Sequence, residues 1–137
     1  MTDVNTGTVE VQDSILASTK KLLGLDDSYD AFDVDITMHI NSAIASLIQI
    51  GIGPVNGFSI AGRETTWTDL LGVDPNLNAV QSYVYFRVRL AFDPPATSFA
   101  ISAIQDQIKE LSYRLNVYRE TNTIDSSGRV VLDAGSL

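Results

Sequence analysis

From Ile36 to Gly62 the chain carries no Asp, Glu, Lys or Arg. A charge-free stretch of this length either crosses a membrane or supplies much of a buried core. His39, Asn41, Ser42, Ser46 and Gln49 interrupt its apolar run, and Gly51, Gly53 and Pro54 end it short of the ~20 apolar residues that a span needs. At 100° per residue, Ile36, Ile40, Ala43, Ile44, Leu47 and Ile50 fall on one side, with His39, Ser42, Ser46 and Gln49 opposite. The pattern predicts an amphipathic helix laid on a core, entered through Asp33 and Asp35, whose carboxylates cap the first turn and favour its dipole. The N-terminus has no basic stretch followed by an apolar block, so neither a signal peptide nor a membrane association is expected.

The 137 residues suit a single domain. Nine Lys and Arg oppose seventeen Asp and Glu, a formal charge of −8, which argues against a domain that grips nucleic acid by neutralising phosphates. Most of that charge lies in residues 1–35, where eight carboxylates face Lys20 and Lys21 alone. The chain has no cysteine, which excludes a disulfide scaffold, a thiolate metal site and thiol catalysis. It has one histidine, His39, so a histidine metal cluster is excluded and any catalytic triad would have to pass through that residue.

Residues 1–12 are polar with isolated valines and read as an N-terminal arm without helical period. A first helix starts after Asp13 or Ser14 as cap, with Ile15, Leu16, Thr19, Leu22 and Leu23 on one face, Lys20 and Lys21 in the last turn and Gly24 as its stop. Asp26 to Asp35 form an acidic, solvated linker to the charge-free helix. The glycine-rich stretch 51–62 reads as a loop with a short extended piece at Phe58 and Ile60, followed by a short helix from Thr66 to Leu71 with Trp67 as a core or interface anchor. Residues 75–92 fit either a helix, through Leu77, Val80, Val84, Val88 and Ala91, or a strand, through the alternation of Val84, Phe86, Val88 and Leu90; the prolines at 75 and 94 favour the helix.

The last helix begins after Asp93-Pro94-Pro95 with Thr97 or Ser98 as cap. Ile101, Ile104, Ile108, Leu111, Leu115 and Tyr118 recur at spacings of 3, 4, 3, 4 and 3, a narrow helix-packing seam, and Glu110 with Arg114 adds an i,i+4 ion pair. The period stops near Glu120. Residues 119–137 read as a flexible C-terminal arm with an apolar patch, Val130-Val131-Leu132, able to add a strand to a partner. The fold class is therefore all-α, a bundle of about four to five helices with a long C-terminal helix and extended terminal arms.

Chemistry is sparse. An EF-hand loop begun at Asp26 has Ala31 where the turn needs glycine and Thr37 where a bidentate glutamate belongs, so the acidic cluster reads as caps and linker, not as a metal site. Walker A, GxSxG and GxGxxG motifs are absent, and His39 has no catalytic partner that the sequence can name. Arg63, Arg87, Arg89, Lys109, Arg114, Arg119 and Arg129 are interleaved with acids and read as salt-bridge and interface groups. No catalytic, metal or cofactor site is assigned; the expectation is a protein that is not an enzyme and needs no cofactor.

One resemblance covers residues 13–118. Ser14-Ile15-Leu16 through Lys20-Lys21-Leu22-Leu23-Gly24, Phe32-Asp33-x-Asp35-Ile36-x-Met38-His39-Ile40-Asn41-Ser42, and Gly51-x-Gly53-Pro54 with Gly57-Phe58-Ser59-Ile60 resemble tailed-phage head-tail connector (adaptor) proteins. Thr66-Trp67-x-Asp69, the Tyr83–Leu90 run, Phe92-Asp93-Pro94-Pro95 and Ile108-x-Glu110-Leu111-x-Tyr113-Arg114-Leu115-Asn116-Val117 follow in the family's order, with Tyr113 where many relatives have tryptophan. The resemblance implies a helical connector domain over 13–118 and tips residues 75–92 toward helix. It implies a structural virion protein of the phage neck, assembled in the host cytoplasm as a homo-oligomeric ring, typically dodecameric. The ring would sit under the portal protein, meet a head-completion or stopper protein on the tail side, and let DNA pass without sequence-specific binding.

Two expectations extend this. The arm would dock on the portal through Ile124, Arg129, Val130, Val131 and Leu132, and the lumen of the ring would be neutral or negative, without Arg87, Arg89 and Arg114 in the bore. The alternative is a soluble helical binding module that pairs with a partner through the Ile101–Tyr118 seam.

Overall fold

The computed structural model describes residues 9–121, 123–124 and 130–131, with side chains for 9–119. It has five helices, α1 (Ile15–Leu22), α2 (Asp33–Gln49), α3 (Trp67–Leu71), α4 (Leu77–Phe92) and α5 (Ser98–Thr121). Two short strands, β1 (Thr123–Ile124) and β2 (Val130–Val131), pair antiparallel, with Thr123 opposite Val131. The all-α class and the helical reading of residues 75–92 are both as expected.

Local chemistry places the helix starts. Ser14 Oγ accepts from the Ala17 N–H at 3.0 Å and caps α1. Thr66 and Asp69 form a reciprocal capping box on α3, which gives so short a helix a defined start. Thr97 Oγ1 accepts from the Ala100 N–H at 3.1 Å at the head of α5. The α2 start differs from expectation: its cap residue is Phe32, with no side-chain bond, and Asp33 and Asp35 lie inside the first turn, where they complement the dipole without capping.

The core is the predicted face of α2 set against α1 and α4. Ile36, Ile40, Ala43, Ile44 and Leu47 are all buried, together with Ile15 and Leu16 of α1, Val80, Tyr83, Val84 and Val88 of α4, and Leu111 and Leu115 of α5. Helix α4 is the central element, packing on α2 along one side and on α5 along another. The ring of Phe32, at the start of α2, meets that of Phe92, at the end of α4, edge-on at 5.2 Å, so these two helices run antiparallel. Helix α5 returns along α4, and Arg119 near its end donates to the Ile50 carbonyl just after α2 at 3.1 Å.

Three features depart from the sequence reading. Leu22, assigned to the buried face of α1, is exposed, while Ala17 and Lys20 are buried in its place. Residues 9–12, expected as part of a loose arm, are tied down: the Asp13 and Ser14 N–H groups donate to the Glu10 carbonyl, and Arg63 Nη1 donates to the Val9 carbonyl at 2.5 Å. Helix α5 runs on through Thr121, past the expected start of the C-terminal arm.

Candidate functional site

The acidic linker is mostly exposed, as expected, but it is also tied down at defined points. Lys20 Nζ donates to the Asp27 carbonyl at 3.0 Å and lies 2.9 Å from Asp33 Oδ1, so one ammonium, only 1% exposed, ties the end of α1 to the linker and to the start of α2. Asp27 turns its carboxylate to Arg63, whose Nε lies 3.0 and 2.9 Å from the two oxygens and whose Nη2 lies 2.7 Å from Oδ2. The Arg63 hydrogen bonds hold the Asp27 carboxyl below its ordinary value and raise the guanidinium in turn. Ser28 donates its hydroxyl and its N–H to Asp26, which lowers that carboxyl as well. A buried ammonium is stable only when paired and hydrogen-bonded, and both conditions are met here.

The same corner is closed by neutral bonds. Ile15 N–H donates to the Thr65 carbonyl at 3.1 Å, Trp67 N–H to the Asp13 carbonyl at 3.0 Å, and the Trp67 indole N–H to Ser18 Oγ at 2.9 Å, which makes Trp67 the anchor the sequence suggests. Asn41 reads both backbone groups of Ile60, donating to its carbonyl at 3.0 Å and accepting its N–H at 2.7 Å, so the extended piece of the glycine loop is fixed to α2. Gly51 sits at φ +94°, and a Cβ there would come within 2.7 Å of Arg119 Cδ. Glycine both adopts the turn and leaves room for the arginine.

Along α5, Leu111 and Leu115 are buried, Ile108 packs on the core, and Ile101, Ile104 and Tyr118 are half-buried. The lower seam therefore closes the chain's own bundle. Of the expected docking arm, Ile124, Val130 and Val131 have their backbones in the β1–β2 ladder; Arg129 and Leu132 lie outside the described residues. His39 is half-buried on α2. Among the described residues no group of three or more His, Cys, Asp or Glu is placed to hold a metal ion, and no described helix is long and apolar enough to cross a membrane.

Arg87, Arg89 and Arg114 of α4 and α5 each have a contact within the chain. Arg87 donates to Ser46 Oγ at 3.0 Å and to Tyr83 Oη at 2.8 Å, with its guanidinium over the Tyr83 ring. Arg89 donates to the Asp93 carbonyl and to Tyr85 Oη at 3.2 Å, and Arg114 lies 3.9 Å from Glu110. Several large apolar side chains are also exposed. Tyr29, Phe32, Val34 and Met38 are exposed around the start of α2, and Phe99 and Tyr113 on α5.

A groove of about 300 Å³ beside α2 is lined by Leu16, Val34, Thr37, Met38, Ala61 and Gly62, with Asp33 and Arg63 at its polar side. Sequence reasoning missed the Lys20–Asp33 and Asp27–Arg63 pairs. The signal for the first was present, since Lys20 lies one turn after Leu16 on the same face of α1; the second joins residues 36 positions apart and had none.

A family model described as phage connector protein matches residues 15–122, which is most of the chain and all five helices. The chain belongs to that family, which is structural. No curated protein and no solved structure matches.

Proposed function

We propose that, as a phage connector protein, the chain acts as one subunit of a ring in the neck of the virion. The ring, dodecameric in the particle, sits beneath the portal, meets a head-completion or stopper protein on its tail side, and forms part of the conduit for DNA. The observation that carries this reading is the family match over residues 15–122. The structure supplies a physical rationale for a conduit that does not hold its cargo. The formal charge is −8, and Arg63, Arg89 and Arg114 lie beside Asp27, Asp93 and Glu110, which weakens any basic track for phosphates. The lumen is accordingly neutral or negative; a ring with Arg87, Arg89 and Arg114 facing the bore would contradict this.

The portal contact is assigned to the C-terminal arm, through Ile124, Arg129, Val130, Val131 and Leu132, by strand addition or by docking of an ordered apolar patch. Because α5 runs through Thr121, truncation after that residue spares the helix. Removing residues 122–137 is expected to abolish co-sedimentation with purified portal while circular dichroism and the thermal midpoint of the helical domain stay unchanged. Full portal binding by the truncated chain would overturn the assignment. The seam-mediated binding module gains nothing from the structure, since Leu111 and Leu115 are already buried within the chain.

A further inference from the structure

The loop that joins α2 to α3 is fixed near both ends and open in its middle. Ile52 is buried, and its N–H donates to the Leu47 carbonyl at 2.9 Å. Further along, Ile60 is buried and held through both backbone groups by Asn41. Between these anchors Val55, Asn56 and Gly57 are exposed, and the Gly57 N–H donates to the Pro54 carbonyl at 3.0 Å to close a single turn. The Asn56 side chain has no hydrogen-bond partner among the described residues.

Asparagine is chemically labile, and most of all when glycine follows it. Loss of its side-chain amide requires the next residue's backbone nitrogen to reach Cγ, and a side chain on that residue crowds the approach. The chain has seven asparagines, and only Asn56 precedes glycine. Gly57 sits at φ +103°, with no atom within 4 Å of where a Cβ would stand, so its nitrogen has open space around it.

Asn41 supplies the contrast. It lies inside α2, and its amide oxygen and nitrogen are both bonded to Ile60. Reaction there requires opening a helix that packs on the core, whereas reaction at Asn56 requires the loss of one exposed backbone bond. The same group is therefore protected at one position and open at the other.

We infer that Asn56 is a site of spontaneous covalent modification, converting to aspartate and isoaspartate with water as the only co-reactant. The Gly57 nitrogen attacks Asn56 Cγ: the N–Cγ bond forms, the Cγ–Nδ2 bond breaks, and Nδ2 leaves as ammonia with the proton given up by the Gly57 N–H. Water then opens the five-membered imide. Cleavage at Cγ restores the ordinary chain as aspartate, and cleavage at the main-chain carbonyl of residue 56 reroutes the chain through Cγ as isoaspartate. Either product places a carboxylate in the 36–62 stretch, which otherwise carries no charged residue, and adds one negative charge to the chain. Isoaspartate also inserts one main-chain carbon between two anchored ends, so the displacement falls on the exposed tip of the loop. The site is independent of whether the chain forms a ring.

Trypsin releases residues 22–63 as one peptide, because no Lys or Arg lies between Lys21 and Arg63, so Asn41 and Asn56 are read in the same fragment spectrum. The folded chain and the chain unfolded in guanidinium chloride are held side by side in mildly alkaline buffer and sampled over weeks. The mass change of an NH2-to-OH exchange is expected at residue 56 of the folded chain, no more than about tenfold slower than in the unfolded one, because opening one exposed turn costs little. Asn41 is expected to convert only in the unfolded chain. Methylation by an isoaspartyl methyltransferase should label the same peptide, and Asn56→Ser should remove both signals. An Asn56 amide that persists in the folded chain while the unfolded chain converts would overturn the inference, since the Pro54–Gly57 turn would then protect it. Faster conversion at any other asparagine of the folded chain would overturn the selectivity on which it stands.

Discussion

Lys20 and Phe99 exchange the places that their chemistry favours: the lysine is 1% exposed in the α1 corner and the phenylalanine is 83% exposed on α5. Fully buried lysine is rare unless paired, and an exposed aromatic beside uncharged neighbours marks a surface that meets something. In the α1 corner, charge does structural work that apolar contact does elsewhere, by joining α1, the linker, α2 and residue 63 into one unit. Along α5 the chain is held by a few apolar residues on one side, and the other side is exposed. The acidic half of the molecule is thus its most internally bonded part, and the outer face of α5 its least.

The sharpest way to break this comparison is to remove Asp33. Asp33→Ala leaves the Lys20 ammonium buried with only the Asp27 carbonyl, and should lower unfolding stability by about 3 kcal/mol. Lys20→Met, which fills similar space without a charge, should cost clearly less. Urea midpoints at neutral pH measure both, and equal losses would mean that the pair contributes volume and not charge compensation. Next in size, Leu115→Ala on α5 should cost about 2–4 kcal/mol, because Leu115 is fully enclosed, whereas Ile101→Ala on the same seam should cost about 1 kcal/mol or less. Equal effects would show that the upper half of α5 is packed as firmly as the lower.

A smaller, pH-dependent effect belongs to Asp27 and Arg63. The folded-state pKa of Asp27 lies below its ordinary 3.8, so its contribution is fully present above that value and disappears as the pH falls through the lowered one. Arg63→Gln should therefore flatten the loss of stability between about pH 5 and pH 2, and thermal midpoints across that range test it. The pair is about one-third exposed, so its effect should be smaller than that of Lys20 and Asp33 and should weaken in high salt. Smallest of all, Phe99→Ala should leave the thermal midpoint of the isolated chain within error.

Much of the fold is legible in the sequence because it depends on local patterns. The α2 face, the Ser14 and Thr66 caps, the Thr97 cap and the α5 seam each follow from spacing within a few residues. The α1 face is the exception. Hydrophobicity alone assigns Leu22 inward and Lys20 outward, but helical geometry puts Lys20 below Leu16 and the Asp33 carboxylate and Asp27 carbonyl make its burial affordable. The Asp27–Arg63 clamp and the hold of Asn41 on Ile60 join distant segments, so no local pattern announces them. The exposed apolar surfaces were half legible: the charge-free run is plain in the sequence, but that one face of it stays exposed depends on where α1 and the 61–63 loop pack.

Negative-stain imaging of the wild-type chain with purified portal, paired with native mass spectrometry of the same sample, tests the connector reading most directly. Rings of a single subunit number seated on the portal are the predicted result. A chain that stays monomeric or dimeric in the presence of portal, and leaves the portal bare, would contradict it.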